Sequence, residues 1–159
     1  MLIPAILKKN EIQEAFKRYY YSDDMMYETG GLNNWLPSIQ EETEIGRFQF
    51  AIVNSKEKLV EYLDYHIDWY NSCASRFGLI SFDRGNPIVG MDLYSELKKL
   101  IYEYKLHRIE WRMIGGNPIE KNYDKFCDKF GGTKHILRDA IKDKYGKYHN
   151  DIIYEIINN

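Results

Sequence analysis

The chain has 159 residues, enough for one domain with a core and too few for two. Hydrophobic residues make up 44%, which argues against a disordered chain. A net charge of −2 without a basic block argues against a nucleic-acid binder, and no apolar run is long enough to span a bilayer.

Residues 2–7 (LIPAIL) read as a short strand that tolerates Pro4 at a sheet edge. Asn10 can cap a helix over 11–21, with Ile12, Ala15, Phe16 and Tyr19 on one face. Residues 22–46 form a long connection with Gly30-Gly31, Pro37 and the acids Glu41, Glu42 and Glu44; connections of that length are often functional. Three strands follow at 47–54, 58–69 and 76–83. In the second, Leu59, Leu63, Tyr65, Ile67 and Trp69 share one face, and Asp64, His66 and Asp68 the other. The third is apolar on both faces and so is expected to be central.

A helix over 87–105 carries Leu93, Leu97, Leu100, Ile101 and Tyr104 as an apolar stripe. A strand at 107–114 leads to a helix over 118–130, which ends at Gly131-Gly132. Strands at about 134–142 and 148–157 are joined by a turn at Tyr145-Gly146-Lys147. The two β–α–β steps imply parallel pairing by right-handed crossovers within a mostly antiparallel sheet, a mixed α/β or α+β domain over 1–159.

Gly-Asn-Pro-Ile occurs twice, at 85–88 and 116–119, each time between a strand and a helix. In both copies Asn suits the N-cap and Pro the first helical position. Cys73 and Cys127 have no metal-type spacing and suit a reducing, cytoplasmic setting. No secretion signal is read at the N-terminus. The four histidines, His66, His107, His135 and His149, are scattered, and no metal site is expected.

Four local patterns, in order, resemble the GNAT superfamily of acyl-CoA-dependent N-acyltransferases. LHRIEWR (106–112) is similar to the family's fifth strand, and Asn117 follows it where the family has an Asn that contacts the pantetheine arm. NYDKFCDKFGG (122–132) resembles the fourth helix. ILRDAIKDKYGKYHNDIIYEI (136–156) resembles the closing hairpin, in the form commonest among acetylases of ribosomal proteins and protein N-termini. The resemblance covers 76–157 closely and is topological before that. It implies a mixed, mostly antiparallel sheet with helices on both faces and transfer of an acetyl group from acetyl-CoA to a primary amine. The amine attacks directly in a ternary complex, without a metal. Many members dimerise, so a homodimer is a partner to test for.

The resemblance also assigns residues. Backbone groups of Leu79, Ile80, Ser81 and Phe82 would pair with the pantetheine amides, and Arg84, Gly85, Gly90 and Asn117 would complete the cofactor site. Tyr123 or Cys127, one turn apart on a helical face, would protonate the departing thiolate. Asp83 is one candidate for the base, with Asp68, His66 and Glu110 as others. Tyr27, Trp35 and the acids at 41–44 would border the acceptor. The loop after the fourth strand departs from the family's Gln/Arg-x-x-Gly-x-Gly/Ala, because Pro87 and Val89 stand at its two small positions. Pro87 has no N–H to give a phosphate, so a non-catalytic binding module on the same fold is the competing reading.

Overall fold

The computed structural model describes residues 1–22, 25–28 and 36–158. Strand β1 (Leu2–Pro4) stops at its proline, and Ala5–Lys8 turn as a 3-10 helix directly into α1 (Lys9–Tyr19). The strand expected over 2–7 is thus cut short: Pro4 can donate no further ladder bond, and Ala5 is buried in the turn. Asn10 falls inside the helix rather than at its cap, because the 3-10 turn already supplies the first helical bond, from Lys9 N–H to Ile6 O.

A short helix, α2 (Met25–Glu28), follows. Strands β2 (Arg47–Val53), β3 (Leu59–Asp68) and β4 (Cys73–Ser81) then run as an antiparallel meander. The remaining elements are α3 (Pro87–Tyr102), β5 (Arg108–Ile114), α4 (Glu120–Lys129), β6 (Thr133–Lys142) and β7 (Tyr148–Ile157).

The seven strands form one sheet in the order β1-β2-β3-β4-β5-β7-β6. Only β4 and β5 pair in parallel, through the crossover helix α3. The second β–α–β step differs from the sequence expectation, because β7 inserts between β5 and β6 and pairs antiparallel with both. On one face, α1 buries Ile12, Ala15 and Phe16 against Tyr62 and Ile80. On the other, α3 and α4 bury Leu97, Leu100 and Phe126 against Leu63, Ile109 and Tyr154. Each such aliphatic side chain contributes about 2 kcal/mol by leaving water. The expected mixed, mostly antiparallel sheet with helices on both faces is therefore present.

Both Gly-Asn-Pro-Ile copies act as helix starts. Asn86 accepts from Ile88 N–H at 3.1 Å, with Pro87 as the first residue of α3. Asn117 accepts from Ile119 N–H at 3.2 Å, but here a turn precedes the regular helix, which begins at Glu120. The far end of α4 closes on Gly131, whose φ of +64° is easiest for glycine. Gly131 N–H bonds to Asp128 O and Gly132 N–H to Cys127 O, a Schellman pair.

The feature that opens the sheet is in β4. Its register with β3 shifts between Asp64 and His66, and Arg76 takes a left-handed φ of +56°. This bulge bends β4. Pairing with β5 ends just before it, at Cys73–Arg108 and Ala74–Ile109. Beyond that point the two parallel strands diverge.

Asp64 lies beside the bulge. The sequence placed it on the face shared with His66 and Asp68, but its carboxyl folds over Gly78 of β4, where a Cβ would fall 2.1 Å from Oδ1. Burial pushes its pKa up to about 6 from 3.8, against the bonds from Tyr62 and Gly78 and the Arg47 charge. The folded state therefore holds this proton more tightly than the unfolded chain. The stabilisation is full below about pH 3.8 and is lost as pH rises through about 6. Asp64→Asn keeps an oxygen acceptor and removes the charge. It is expected to raise stability at pH 8 by about 1–3 kcal/mol and to leave it unchanged near pH 3. Urea unfolding at both pH values reads the difference.

Candidate active site

The gap between the diverging strands is a cavity of about 410 Å³. One wall is Phe77, Leu79 and Ser81 of β4; the other is Trp111, Arg112 and Met113 of β5. Leu93 and Leu97 of α3 cover it, and Glu61 and Leu63 of β3 complete the floor. At the wide end lie Arg84, Gly85, Asn86 and Gly90 from the start of α3, with Asn117 from the loop after β5. Tyr123 of α4 packs against Trp111 with the rings steeply inclined and their centroids 5.9 Å apart, and so belongs to the narrow end.

Backbone direction follows from the ladder. Phe82 N–H donates to Val60 O of β3 at 2.8 Å. Backbone groups alternate between a strand's two neighbours, so Ile80 and Phe82 turn theirs to β3, and Leu79 and Ser81 turn theirs to the cleft. On β5, Gly115 N–H donates to Asn150 O of the strand β7 side at 2.8 Å. By the same alternation Arg112 faces its backbone to the cleft. The gap is thus bordered by two strand edges set apart by more than a ladder's width.

At the wide end, Gly85 has φ +81°, and a Cβ at Gly85 or Gly90 would meet nothing within 4 Å. The first N–H groups of a helix have no intrahelical partner. Here Pro87 has none to give, and Asn86 takes that of Ile88. Asn86 is the N-cap, so its carbonyl takes the Gly90 N–H as the first bond of the helix, and the N–H of Val89 is the one the first turn leaves for an anion. Asp92 does not line the cavity; its carboxylate lies 2.6 Å from the Met1 nitrogen.

Of the residues assigned from the sequence, Leu79, Ser81, Arg84, Gly85, Gly90, Asn117 and Tyr123 meet at this cavity. Ile80, Phe82, Asp83 and Cys127 do not line it. Ile80 is buried on the α1 face. Phe82 packs on the rings of Phe16 and Tyr19. Asp83 is exposed and accepts from Asn86 Nδ2 at 3.0 Å. Cys127 is buried, and a Cβ on Gly132 would lie 2.6 Å from its Sγ. Burial pushes that thiol's pKa up, so it stays protonated.

The other proposed bases lie elsewhere. Asp68 caps a turn, accepting from Tyr70 and Asn71 N–H at 3.0 Å, and Glu110 pairs with Arg108. The acid cluster also faces away: Glu41 pairs with Lys9, and Glu44 lies 3.5 Å from Arg47. Trp35 is outside the described residues. Tyr27 does line the cavity, and its carbonyl accepts from Asn117 Nδ2 at 3.2 Å. Among the described residues no group of three or more His, Cys, Asp and Glu could hold a metal ion, and no helix is long and apolar enough to cross a membrane.

Two wall residues escaped the sequence reading. Glu61 is 1% exposed, and it was legible as the one acid among the inward positions Leu59, Leu63, Tyr65 and Ile67. Trp111 was read only as a letter of the LHRIEWR pattern.

No protein-family model matches the chain, and no curated protein matches its sequence. Solved structures do match it. The spermidine N-acetyltransferase from Vibrio cholerae in complex with CoA and spermine superposes with a TM-score of 0.58 at 14% identity, over 94% of this chain and 75% of that one. The spermidine/spermine N-acetyltransferase from the same organism, with manganese ions, gives 0.57 at 14% identity, over 93% and 74%. The nearer likeness expected from the closing hairpin, to acetylases of ribosomal proteins and protein N-termini, finds no support in these comparisons. At this identity the likeness is one of fold: the chain shares the architecture of these polyamine N-acetyltransferases.

Proposed function

We propose that the protein is an acetyl-CoA-dependent N-acetyltransferase acting on a primary amine. The observation that carries this reading is the gap between β4 and β5, which leads from the N-terminus of α3 to Tyr123. An extended chain bearing amides can lie between the two strand edges as an added strand. A diphosphate at its end would meet Arg84 and the first turn of α3. The amine nitrogen attacks the thioester carbonyl carbon, and the electron pair moves to oxygen. Collapse then breaks the C–S bond, the nitrogen loses its proton to solvent or a base, and Tyr123 returns one to sulfur. Holding the two reactants together supplies much of the rate. The names of the matched structures make a polyamine the first acceptor to try, ahead of a protein amine.

Calorimetric titration with acetyl-CoA tests the reading, followed by thiol release in the presence of spermidine or a lysine peptide. Absence of binding at millimolar acetyl-CoA would remove it. A second reading, a binding module without turnover, draws on the wide end. Pro87 has no N–H and Asn86 takes that of Ile88, which removes two donors there. Binding of acetyl-CoA with no thiol release to any amine would favour it.

A further inference from the structure

Trp111 is 4% exposed and lines the cavity, yet its indole N–H has no hydrogen-bond partner among the described residues. A buried donor left unbonded costs free energy, and native structures seldom keep one without a reason. The ring itself is firmly placed. It stacks on Tyr154 with centroids 5.2 Å apart and planes 11° from parallel, and Tyr154 OH donates to Asp124 at 2.7 Å. Phe126 and Tyr123 close on it edge-on.

Its position along the gap suggests the missing acceptor. Trp111 lies two residues past Ile109, where pairing with β4 ends, so it stands at the narrow end with Phe77. From Ser81 back to Phe77 the strand covers about 13 Å. A pantetheine arm has about twelve chain bonds between phosphate and sulfur, the length of about four peptide units. With its diphosphate at the α3 N-terminus, such an arm brings its thioester to the narrow end. We infer that the Trp111 Nε1–H donates to the thioester carbonyl oxygen of the bound acyl-CoA. The inference rests on the proposed function above and adds a residue for the acyl group. A donor there holds the carbonyl in the ground state and stabilises the oxyanion as the amine adds.

Trp111→Phe keeps an aromatic ring and removes the donor. CoA lacks the carbonyl, so the two ligands separate the donor's role from packing. The expected result is about five- to tenfold weaker binding of acetyl-CoA, with CoA unchanged within about twofold. Equal weakening of both ligands, or of neither, overturns the inference and leaves the acetyltransferase reading standing. Failure of the wild-type protein to bind acetyl-CoA overturns both. A measurement on the intact indole guards against a variant that does not fold. In ¹⁵N-labelled protein the Trp111 Nε1–H resonance, identified by elimination with Trp35→Phe and Trp69→Phe, should move downfield with acetyl-CoA and not with CoA. The same shift with both ligands counts against the thioester as acceptor.

Discussion

Gly90→Trp is expected to abolish acetyl-CoA binding, by at least about 100-fold, while leaving the protein folded. Gly90 lies in the first turn of α3, borders the wide end of the cavity and is exposed. A Cβ there meets nothing within 4 Å, so a side chain can leave the helix at this point without displacing protein atoms, and an indole is large enough to fill the wide end. Glycine is about 0.5–1 kcal/mol worse than alanine inside a helix and tryptophan falls between the two, so the substitution should leave thermal stability equal or slightly higher. What it removes is the space above the helix N-terminus that a diphosphate must occupy to reach the amides of that turn. Calorimetry and a thermal melt on the same sample separate the two effects. Unchanged affinity with an unchanged melt would mean that the phosphate group lies elsewhere, and the proposed direction of the ligand along the gap would fail with it. Gly90→Ala is the graded control: the methyl should raise the melting temperature and cost little affinity.

The order of strands and helices was readable because each long element carries its own period. The stripe Leu93, Leu97, Leu100 and Ile101 marks α3, and the paired Asn-Pro starts mark both crossovers. Other features depend on distant partners and leave no local trace. Nothing in Arg76 announces a left-handed backbone, yet that bulge ends the pairing of β4 with β5 and opens the site. The acids at 41–44 looked like a rim for a cationic acceptor, but folding brings Lys9 to Glu41 across more than thirty residues of sequence and Arg47 to Glu44. Strand parity could indicate which of Leu79, Ile80, Ser81 and Phe82 share a face. Which side of β4 is left without a strand required the topology. Tyr123 and Cys127 share a helical face in sequence, and only the packing of Gly132 against Cys127 separates them.

That separation makes Tyr123→Phe the second large effect. Tyr123 lines the cavity at the narrow end, beside Trp111, while the Cys127 thiol is enclosed beneath Gly132 and held protonated by burial. A phenol that donates a proton to a departing thiolate contributes about 10²-fold or more to turnover. Removal of the hydroxyl should therefore lower kcat by about that factor with spermidine or any other accepted amine, and leave acetyl-CoA affinity within about threefold. Cys127→Ala should do the reverse: it trims a buried side chain and costs about 1–2 kcal/mol of stability, with kcat close to wild type. Steady-state thiol release and urea unfolding on both variants give the four numbers. The leaving group offers a further check. An acyl donor whose thiol is more acidic departs with less need of a proton, so the gap between wild type and Tyr123→Phe should narrow with such a donor. A gap of constant size would show that Tyr123 orients the substrate by contact, and the proton to sulfur would then have to come from water.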